Sequence, residues 1–151
     1  MKIKIRKAEK KDANSILDLI KELAEFEREA NEVILTKEII ERDGFGENSL
    51  FKCFVAEHNY KVVGMALFYS RYSTWKGPTL HLEDLIVTES MKGKGIGTKL
   101  YNSFIDYATL EGVKRVEWVV LDWNKSAIKF YKKSGAKVLK DWRTVQLKIN
   151  N

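Results

Sequence analysis

The sequence predicts a single α/β domain over residues 1–151, with a mixed, partly parallel central sheet, a bulged fourth strand and flanking helices. Three observations predict it. Segments with strand-like apolar alternation and segments with helical apolar spacing follow one another along the whole chain. From Leu80 onward, the order strand, helix, strand, helix, strand implies crossover connections and therefore parallel neighbours. The apolar residues of the segment 80–87 also switch from even to odd positions at Glu83-Asp84. One extra residue in the strand, a β-bulge, would cause this switch.

Composition fits one globular domain in a reducing compartment. A chain of 151 residues can bury a sizeable core, and its 44% apolar content argues against disorder. Cys53 is the only cysteine, which excludes an internal disulfide. The first residues alternate charged and apolar side chains, unlike a signal peptide, and no apolar run approaches membrane-spanning length. We therefore expect a cytoplasmic protein with no membrane partner.

The net charge of +6 indicates anionic partners without selecting among them. Nucleic acid is one class, but the basic residues are dispersed among acids and form no block, so we expect no nucleic-acid partner. A phosphorylated cofactor needs fewer cations. A basic surface that serves solubility alone is the remaining alternative.

The first half of the chain is predicted to alternate strands and helices. Residues 2–7 form the first strand, and Asp12 is expected to cap the following helix. Helical spacing is kept by Ala13, Ile16, Leu17, Ile20, Leu23 and Ala24. Phe26 then lies within a cluster of glutamates that forms either a solvated face or a site for a cationic ligand. Thr36 is expected to cap a short helix that stops at Asp43-Gly44.

Residues 51–57 and 62–72 are predicted to form a β-hairpin joined by residues 58–61. Cys53 lies in the first of these strands and has no supporting histidine motif, so we expect it to pack in the core. Two dispersed histidines and one cysteine also lack the spacing of a metal site, and no metal is expected.

Gly93, Gly95 and Gly97 stand at every second position between the fourth strand and a helix predicted over residues 96–110. A helix N-terminus offers free N–H groups and partial positive charge, and glycines let an anion approach the backbone. The spacing matches neither the P-loop nor the dinucleotide-binding fingerprint. From spacing alone, a phosphate-binding turn and a solvated lysine-rich connection are equally supported. The carboxylates of Glu83 and Asp84 upstream favour the phosphate-binding turn.

The remaining elements are predicted from apolar runs and caps. Gly112 ends the helix, and residues 113–121 form another strand. Asn124 or Ser126 caps a short helix that reaches Gly135. Residues 137–149 are expected to supply one or two closing strands.

Several motifs of this chain together resemble the GNAT superfamily of N-acetyltransferases. They are Leu82-Glu83-Asp84-Leu85, Lys92-Gly93-Lys94-Gly95-Ile96-Gly97, Asp122-Trp123-Asn124-Lys125 and Phe130-Tyr131-Lys132. Within the superfamily, the chain is similar to the diamine (spermidine/spermine) and thialysine acetyltransferases. The more specific signals are Trp75-Lys76-Gly77, Leu82-Glu83-Asp84, Trp123-Asn124-Lys125, Val33-Ile34-Leu35-Thr36 and Asp43-Gly44-Phe45-Gly46. The resemblance covers nearly the whole chain and implies a GNAT-like fold, acetyl-CoA as co-substrate and a homodimer.

The resemblance also implies a binding mode for acetyl-CoA. The backbone amides of residues 92–98 would bind the pyrophosphate, and the edge of the fourth strand would pair with pantetheine. The implied cofactor-binding residues are Leu85, Ile86, Val87, Lys92, Gly93, Lys94, Gly95, Ile96, Gly97, Thr98, Asn124, Lys125, Ser126, Ala127 and Tyr131. The family usually has Arg or Gln where this chain has Lys92, so one bidentate phosphate contact is expected to be weaker.

Two residues are candidates for proton transfer. A primary amine is almost wholly protonated at neutral pH and must lose a proton before it attacks a thioester. Glu83 is the candidate base, through a water molecule, and its alternative role is to anchor the substrate. Tyr131 resembles the family's general acid, which protonates the departing CoA sulfur, and its alternative role is packing. The residues expected to bind substrate are Phe26, Glu27, Glu83, Asp84, Glu117, Trp118, Asp122 and Trp123.

The function expected from these residues is acetyl transfer from acetyl-CoA to a primary amine of a small polyamine or lysine-like substrate, by direct attack in a ternary complex. Alternatives are a non-catalytic acyl-CoA-binding module and an acetyltransferase for a different amine, such as an amino acid. A nucleic-acid-binding protein is a third class, but it leaves the Glu83-Asp84 pair unexplained. The sequence does not choose among spermidine, putrescine, thialysine and lysine.

Overall fold

A computed structural model describes residues 1–149 of the chain, which divides into two compact units. The first unit is Met1–Trp118, and the second begins at Val119. No helix within the described residues is long and apolar enough to cross a lipid bilayer.

The first unit is built on a five-stranded mixed sheet. Its strands lie side by side in chain order: β1 (Lys4–Lys7), β2 (Lys52–His58), β3 (Lys61–Ser73), β4 (Gly77–Val87) and β5 (Val116–Glu117). The first four pair antiparallel, and β5 pairs parallel with β4. The helices of this unit are α1 (Ala13–Phe26), α2 (Lys37–Phe45) and α3 (Ile96–Glu111). The mixed, partly parallel sheet with flanking helices is therefore confirmed.

The sheet of the first unit separates two apolar cores. One core joins it to α1 and α2 and contains Ala13, Ile16, Leu17, Leu19, Ile40, Cys53, Val55, Met65, Leu67 and Ile86. The other joins it to α3 and contains Ala56, Val63, Ala66, Phe68, Leu80, Leu82, Val87, Ile96, Leu100, Phe104 and Ala108. We call these the α1-side and α3-side cores. Each strand residue joins one core or the other because successive side chains of a strand point to opposite faces.

The predicted bulge in the fourth strand is confirmed. Leu67 of β3 pairs with Asp84, whereas the next residue, Phe68, pairs with Leu82, so Glu83 is the extra residue of β4. Before the bulge, Leu82 packs in the α3-side core; after it, Val87 does so. This change from even to odd positions is the parity switch seen in the sequence.

The predicted cap of α2 and the predicted end of α3 are both present. The Thr36 hydroxyl caps α2 by accepting a hydrogen bond from the Ile39 amide at 3.2 Å. Gly112 ends α3 with a φ of 72°, in the left-handed region that favours glycine.

Asp12 occupies the cap position of α1, but its side chain accepts no hydrogen bond from that helix. The carboxylate instead accepts two hydrogen bonds from the guanidinium of Arg6, at 2.8 and 3.0 Å. The capping prediction was wrong because a charge-assisted bidentate pair is stronger than a single bond to a helix amide.

The second unit contains α4 (Lys125–Lys133). Asn124, and not Ser126, caps it: the Asn124 side-chain oxygen accepts a hydrogen bond from the Ala127 amide at 3.3 Å. Gly135 follows the helix with a φ of 98°.

Two strand predictions near the C-terminus were wrong. The strand expected over residues 113–121 is limited to β5, whose pairing with β4 involves, in the described part of the chain, only Leu80 and His81, just before the bulge. No strand occurs in the described residues 137–149, where Val145, Leu147 and Ile149 are exposed. The apolar alternation is present there, but a strand also needs a neighbouring strand to supply hydrogen bonds.

Candidate active site

The bulge places two adjacent carboxylates in different surroundings. The side chain of Glu83 is 52% exposed. Asp84 is half-buried, and this burial, with smaller effects from the charges of Glu83 and Glu27, raises its pKa to about 7. A carboxyl group with this pKa exchanges its proton at neutral pH.

A third carboxylate, Glu27, belongs to the same region of the first unit. It follows the last residue of α1, and burial, then the charge of Glu83, then that of Glu29, raise its pKa. Since Glu27 and Glu83 both raise the pKa of Asp84, the three acids form one local cluster of negative charge. We call Glu27, Glu83 and Asp84 the acidic cluster. It brings together three of the residues predicted to bind substrate.

Phe26 lies beside the acidic cluster in sequence and is 46% exposed. The ammonium of Lys92 lies 5.1 Å from the centre of its ring, and the same ammonium forms an ion pair with Glu89 at 2.9 Å. Phe26 and Lys92 therefore connect the end of α1 to the glycine-rich loop.

Glu83 is held by side chains that the sequence analysis missed. The Tyr69 hydroxyl donates a hydrogen bond to the Glu83 carboxylate at 2.8 Å. Burial and this hydrogen bond raise the pKa of Tyr69 to about 12, so the hydroxyl keeps its proton and remains a donor. His81, the residue paired with Tyr69 across the sheet, places Nε2 3.7 Å from the same carboxylate.

Arg71 extends this arrangement away from Glu83. Its Nη1 atom lies 3.2 Å from His81 Nδ1 and 3.0 Å from the carboxylate of Glu117. Burial lowers the pKa of His81, and the charge of Arg71 lowers it further against the opposing charges of Glu83 and Glu117. Because a guanidinium only donates, Nδ1 of the neutral imidazole accepts and Nε2 carries the proton.

Glu117 was predicted to hold a positive charge of the substrate. In the structure its carboxylate already lies 3.0 Å from Arg71 and 3.6 Å from Arg115. Two cations of the chain itself therefore surround it.

The glycine-rich loop has the open backbone expected of an anion-binding turn. Gly93 and Gly95 have φ values of 76° and 80°, and Gly95 is the cap residue of α3. A Cβ atom built on either glycine would have no described atom within 4 Å. The first amides of α3 have no partner within the helix, and with open space beside Gly93 and Gly95 this turn fits a pyrophosphate group.

The edge of β4 next to this loop is available for pairing. Residues 85–87 pair with β3 on one side, through Ala66, Met65 and Gly64. On the other side, β5 pairs with β4 only at Leu80 and His81 among the described residues. The backbone of residues 85–87 can therefore hydrogen-bond an extended ligand such as pantetheine.

Glu22 of α1 fixes the segment between β4 and the glycine-rich loop. Its carboxylate accepts a hydrogen bond from the Thr88 hydroxyl at 2.8 Å and from the Glu89 amide at 3.1 Å. Nothing in the local sequence singles out Glu22, because its partners lie more than 60 residues away.

Two other candidate residues, Cys53 and Trp118, pack against neighbouring side chains. Cys53 is buried and burial raises the pKa of its thiol, which confirms packing over nucleophilic chemistry. Trp118 packs edge-on against Tyr101, with ring centres 5.7 Å apart.

The predicted residues of the second unit cluster around α4. Lys125, Ser126 and Ala127 form its first turn, while Asp122 and Trp123 are exposed in the turn before it. Tyr131 is half-buried, and its ring centre lies 5.5 Å from that of Phe130.

A family model and two curated relatives that match this chain are all named for acetyltransferases. The acetyltransferase (GNAT) family model matches residues 14–136. Thialysine N-epsilon-acetyltransferase of Mus musculus is 41% identical over 144 residues, covering 90% of this chain and 85% of that protein. Spermidine/spermine N(1)-acetyltransferase-like protein 1 of Homo sapiens is 38% identical over 139 residues, covering 87% of this chain and 20% of that protein.

Solved structures share the fold at lower identity. An aminoglycoside acetyltransferase from an uncultured soil metagenomic sample matches with a TM-score of 0.81 at 21% identity, over 98% of this chain and 97% of that one. An integron cassette protein of V. cholerae matches with a TM-score of 0.80 at 24% identity, over 99% of this chain and 94% of that one. The family match, the relatives and the fold agree, and the chain belongs to the acetyltransferase (GNAT) family.

Proposed function

We propose that this protein transfers an acetyl group from acetyl-CoA to a primary amine of a small polyamine or lysine-like substrate, by direct attack in a ternary complex. The observation that carries the proposal is the bulge at Glu83. It exposes one carboxylate beside a second, less exposed one, on a strand that leads into an open, glycine-capped helix N-terminus. The names of the thialysine and spermidine/spermine relatives support the choice of amine.

Acetyl-CoA binding is assigned to the loop and to the strand edge before it. The amides of residues 93–98 bind the pyrophosphate, and the backbone of residues 85–87 pairs with pantetheine. The Lys92 amide, which was predicted to belong to this set, instead donates a hydrogen bond to the Glu89 carbonyl at 3.3 Å. Lys94 and Thr98 are exposed beside the loop and add a cation and a hydroxyl. Asn124, Lys125, Ser126 and Ala127 are proposed donor-binding residues of the second unit, on the strength of the family resemblance.

Glu83 is the proposed base, acting through a water molecule on the protonated amine. Its exposure makes it accessible to substrate, and the hydrogen bond from Tyr69 fixes its orientation. Glu27 and Asp84 complete the acidic cluster, which favours a cationic substrate over a neutral one.

Tyr131 is the proposed acid that gives a proton to the departing CoA sulfur. The attack forms the amide C–N bond and breaks the C–S bond, so the sulfur leaves with the electron pair. A thiolate is already a fair leaving group, since free thiols have a pKa of about 8.5, and the tyrosine therefore lowers only part of the barrier.

Residues 1–151 are proposed to form one catalytic domain, and the protein is proposed to be a homodimer in the cytoplasm. The family match over most of the chain supports the single domain. The buried free thiol of Cys53 is compatible with a reducing compartment. The homodimer is carried over from the family resemblance, and the mass of the purified protein in solution tests it.

A thiol-release assay tests the proposed function. The protein is incubated with acetyl-CoA and a panel of spermidine, putrescine, thialysine and lysine, and free CoA is measured. Amine-dependent release, with a matching acetylated product by mass spectrometry, is the expected result. Tight acetyl-CoA binding without release for any amine would instead support a non-catalytic acyl-CoA-binding module.

A further inference from the structure

A row of polar side chains follows one face of the sheet away from the acidic cluster. Met65 and Leu67 of β3 pack in the α1-side core, so the alternation of the strand puts Tyr69 and Arg71 on that same face. His81 is paired with Tyr69 and lies between Glu83 and Arg71. The row therefore joins an acidic end to a basic one.

The basic end of the row carries a net positive charge. Arg71 and Arg115 contribute two cations, and Glu117, which lies close to both, contributes one anion. The lowered pKa of His81 keeps the imidazole between the two ends neutral. A distal ammonium group of a polyamine would meet net repulsion here, whereas a carboxylate would meet attraction.

Arg71 also has N–H groups that its contacts with His81 and Glu117 do not use. Its contacts with His81 and with Glu117 both use Nη1. Among the described residues 1–149, no side chain or carbonyl accepts a hydrogen bond from its Nη2 or Nε atom. Its side chain is 53% exposed, so a ligand can reach it. Nη2 and Nε together form the edge of a guanidinium that binds a carboxylate through two parallel hydrogen bonds.

The separation of the two ends suits a short substrate. One imidazole ring lies between them, with His81 Nε2 3.7 Å from Glu83 and His81 Nδ1 3.2 Å from Arg71. A lysine-like amino acid carries an amine and a carboxylate at its opposite ends. Its amine can lie at the acidic cluster while its carboxylate reaches Arg71.

We propose that Arg71 binds the carboxylate of the acceptor, so that this acetyltransferase selects an amino acid with a side-chain amine over a diamine or polyamine. This inference rests on the proposed function and narrows its substrate class. It also gives Glu117 a different role from the predicted one: the residue orients Arg71 and does not bind a substrate ammonium.

Two substrates that differ in one group test the proposal. Cadaverine is L-lysine without its carboxylate, so the ratio of their kcat/KM values with acetyl-CoA isolates the contribution of that group. We expect wild type to prefer L-lysine, and Arg71→Gln to reduce that preference about 10- to 100-fold, as loss of a charge-assisted bidentate contact would. The loss should fall mainly on KM for L-lysine, with kcat/KM for cadaverine unchanged or raised.

Matched variants separate recognition from general effects. Arg71→Lys keeps the charge without the planar fork and should retain part of the preference. Lys114→Gln removes an exposed cation between α3 and β5 and should leave the ratio as in wild type. Melting temperatures show whether each variant is folded.

The outcomes distinguish this inference from the proposed function. Two results would overturn the role of Arg71 and leave the proposed function intact. One is equal kcat/KM for cadaverine and L-lysine in wild type, and the other is an Arg71→Gln variant that loses both activities equally. Failure to acetylate either amine or any polyamine would overturn the proposed function and this inference with it.

Discussion

Glu83 and Asp84 are neighbours in sequence, yet their surroundings differ. Glu83 is exposed and hydrogen-bonded by Tyr69, whereas Asp84 is half-buried with a pKa of about 7. The bulge causes this difference, because the inserted residue leaves the regular alternation of β4. The roles of the two residues can therefore be tested separately, Glu83 by activity and Asp84 by stability.

Replacement of Glu83 by Gln tests its role as the base. The variant should lose turnover most strongly at low pH, where the fraction of neutral amine is smallest, and recover part of it as the pH rises. The measurement is kcat/KM against pH between about 6 and 10. Asp106→Asn, which removes an exposed carboxylate of α3, is the control and should keep the wild-type profile. An equal loss at every pH would make Glu83 a substrate anchor.

Replacement of Asp84 by Asn tests the burial of its carboxyl group. The raised pKa means that the native protein keeps a proton that the unfolded chain releases as the pH rises from about 4 to about 7. Wild-type stability should therefore fall across this window, by at most about 4 kcal/mol, and Asp84→Asn should remove that loss. Denaturant unfolding from pH 4.5 to 8 measures it. A stability difference that does not change with pH would contradict the buried carboxyl.

The sequence identified the carboxylate pair but not the residues that surround it. Glu83 and Asp84 stood out because charges interrupt an apolar strand. Tyr69 and His81 are ordinary strand residues. The pairing of β3 with β4 brings Tyr69 to Glu83, whereas His81 precedes Glu83 on β4 itself. The surroundings of Arg71 likewise depend on the folded sheet, because its partners come from two other strands.

At the scale of elements, the sequence predicted features that depend on neighbouring residues, but it did not predict which segments pair as strands. The bulge, the cap at Thr36 and the glycine at the end of α3 all depend on neighbouring residues and were predicted correctly. Residues 137–149 carry strand-like alternation, but none of their described residues pairs with a strand. Pairing depends on distant segments, which is why the alternation was misleading.

Two glycines of α3 provide a matched test of the anion-binding loop. Gly95 and Gly112 lie at opposite ends of the helix, both with φ in the left-handed region and with open space around them. Alanine at either position should cost about 1 kcal/mol of stability through the same backbone strain. Only Gly95→Ala should weaken acetyl-CoA binding, about 10-fold or more, in titration calorimetry. Normal binding by folded Gly95→Ala would refute the loop assignment.

Removal of the Tyr131 hydroxyl tests the acid assigned to α4. Tyr131→Phe keeps the ring beside Phe130, so packing should survive. If the hydroxyl protonates the sulfur, kcat and kcat/KM should fall together by about 10²-fold, with acetyl-CoA affinity little changed. Full turnover with a lower melting temperature would show that the tyrosine is structural.

At the scale of the whole molecule, the α/β class and the flanking helices followed from the order of periodic segments, and the family followed from motifs spread over nearly the whole chain. The net charge was less informative. A chain with a net charge of +6 still gathers Glu27, Glu83 and Asp84 into one acidic cluster, since net charge describes an average and not a site.

The most direct test of the account is the effect of acetyl-CoA on thermal unfolding. A ligand that binds only the folded protein stabilises it by about 2.7 kcal/mol at 100 times its dissociation constant, which for a chain of this size raises the melting temperature by roughly 5 °C or more. Acetyl-CoA should produce this shift, and S-acetyl-pantetheine, which lacks the pyrophosphate, should produce much less. No shift at saturating acetyl-CoA, or an equal shift with both compounds, would contradict the binding of pyrophosphate at the N-terminus of α3.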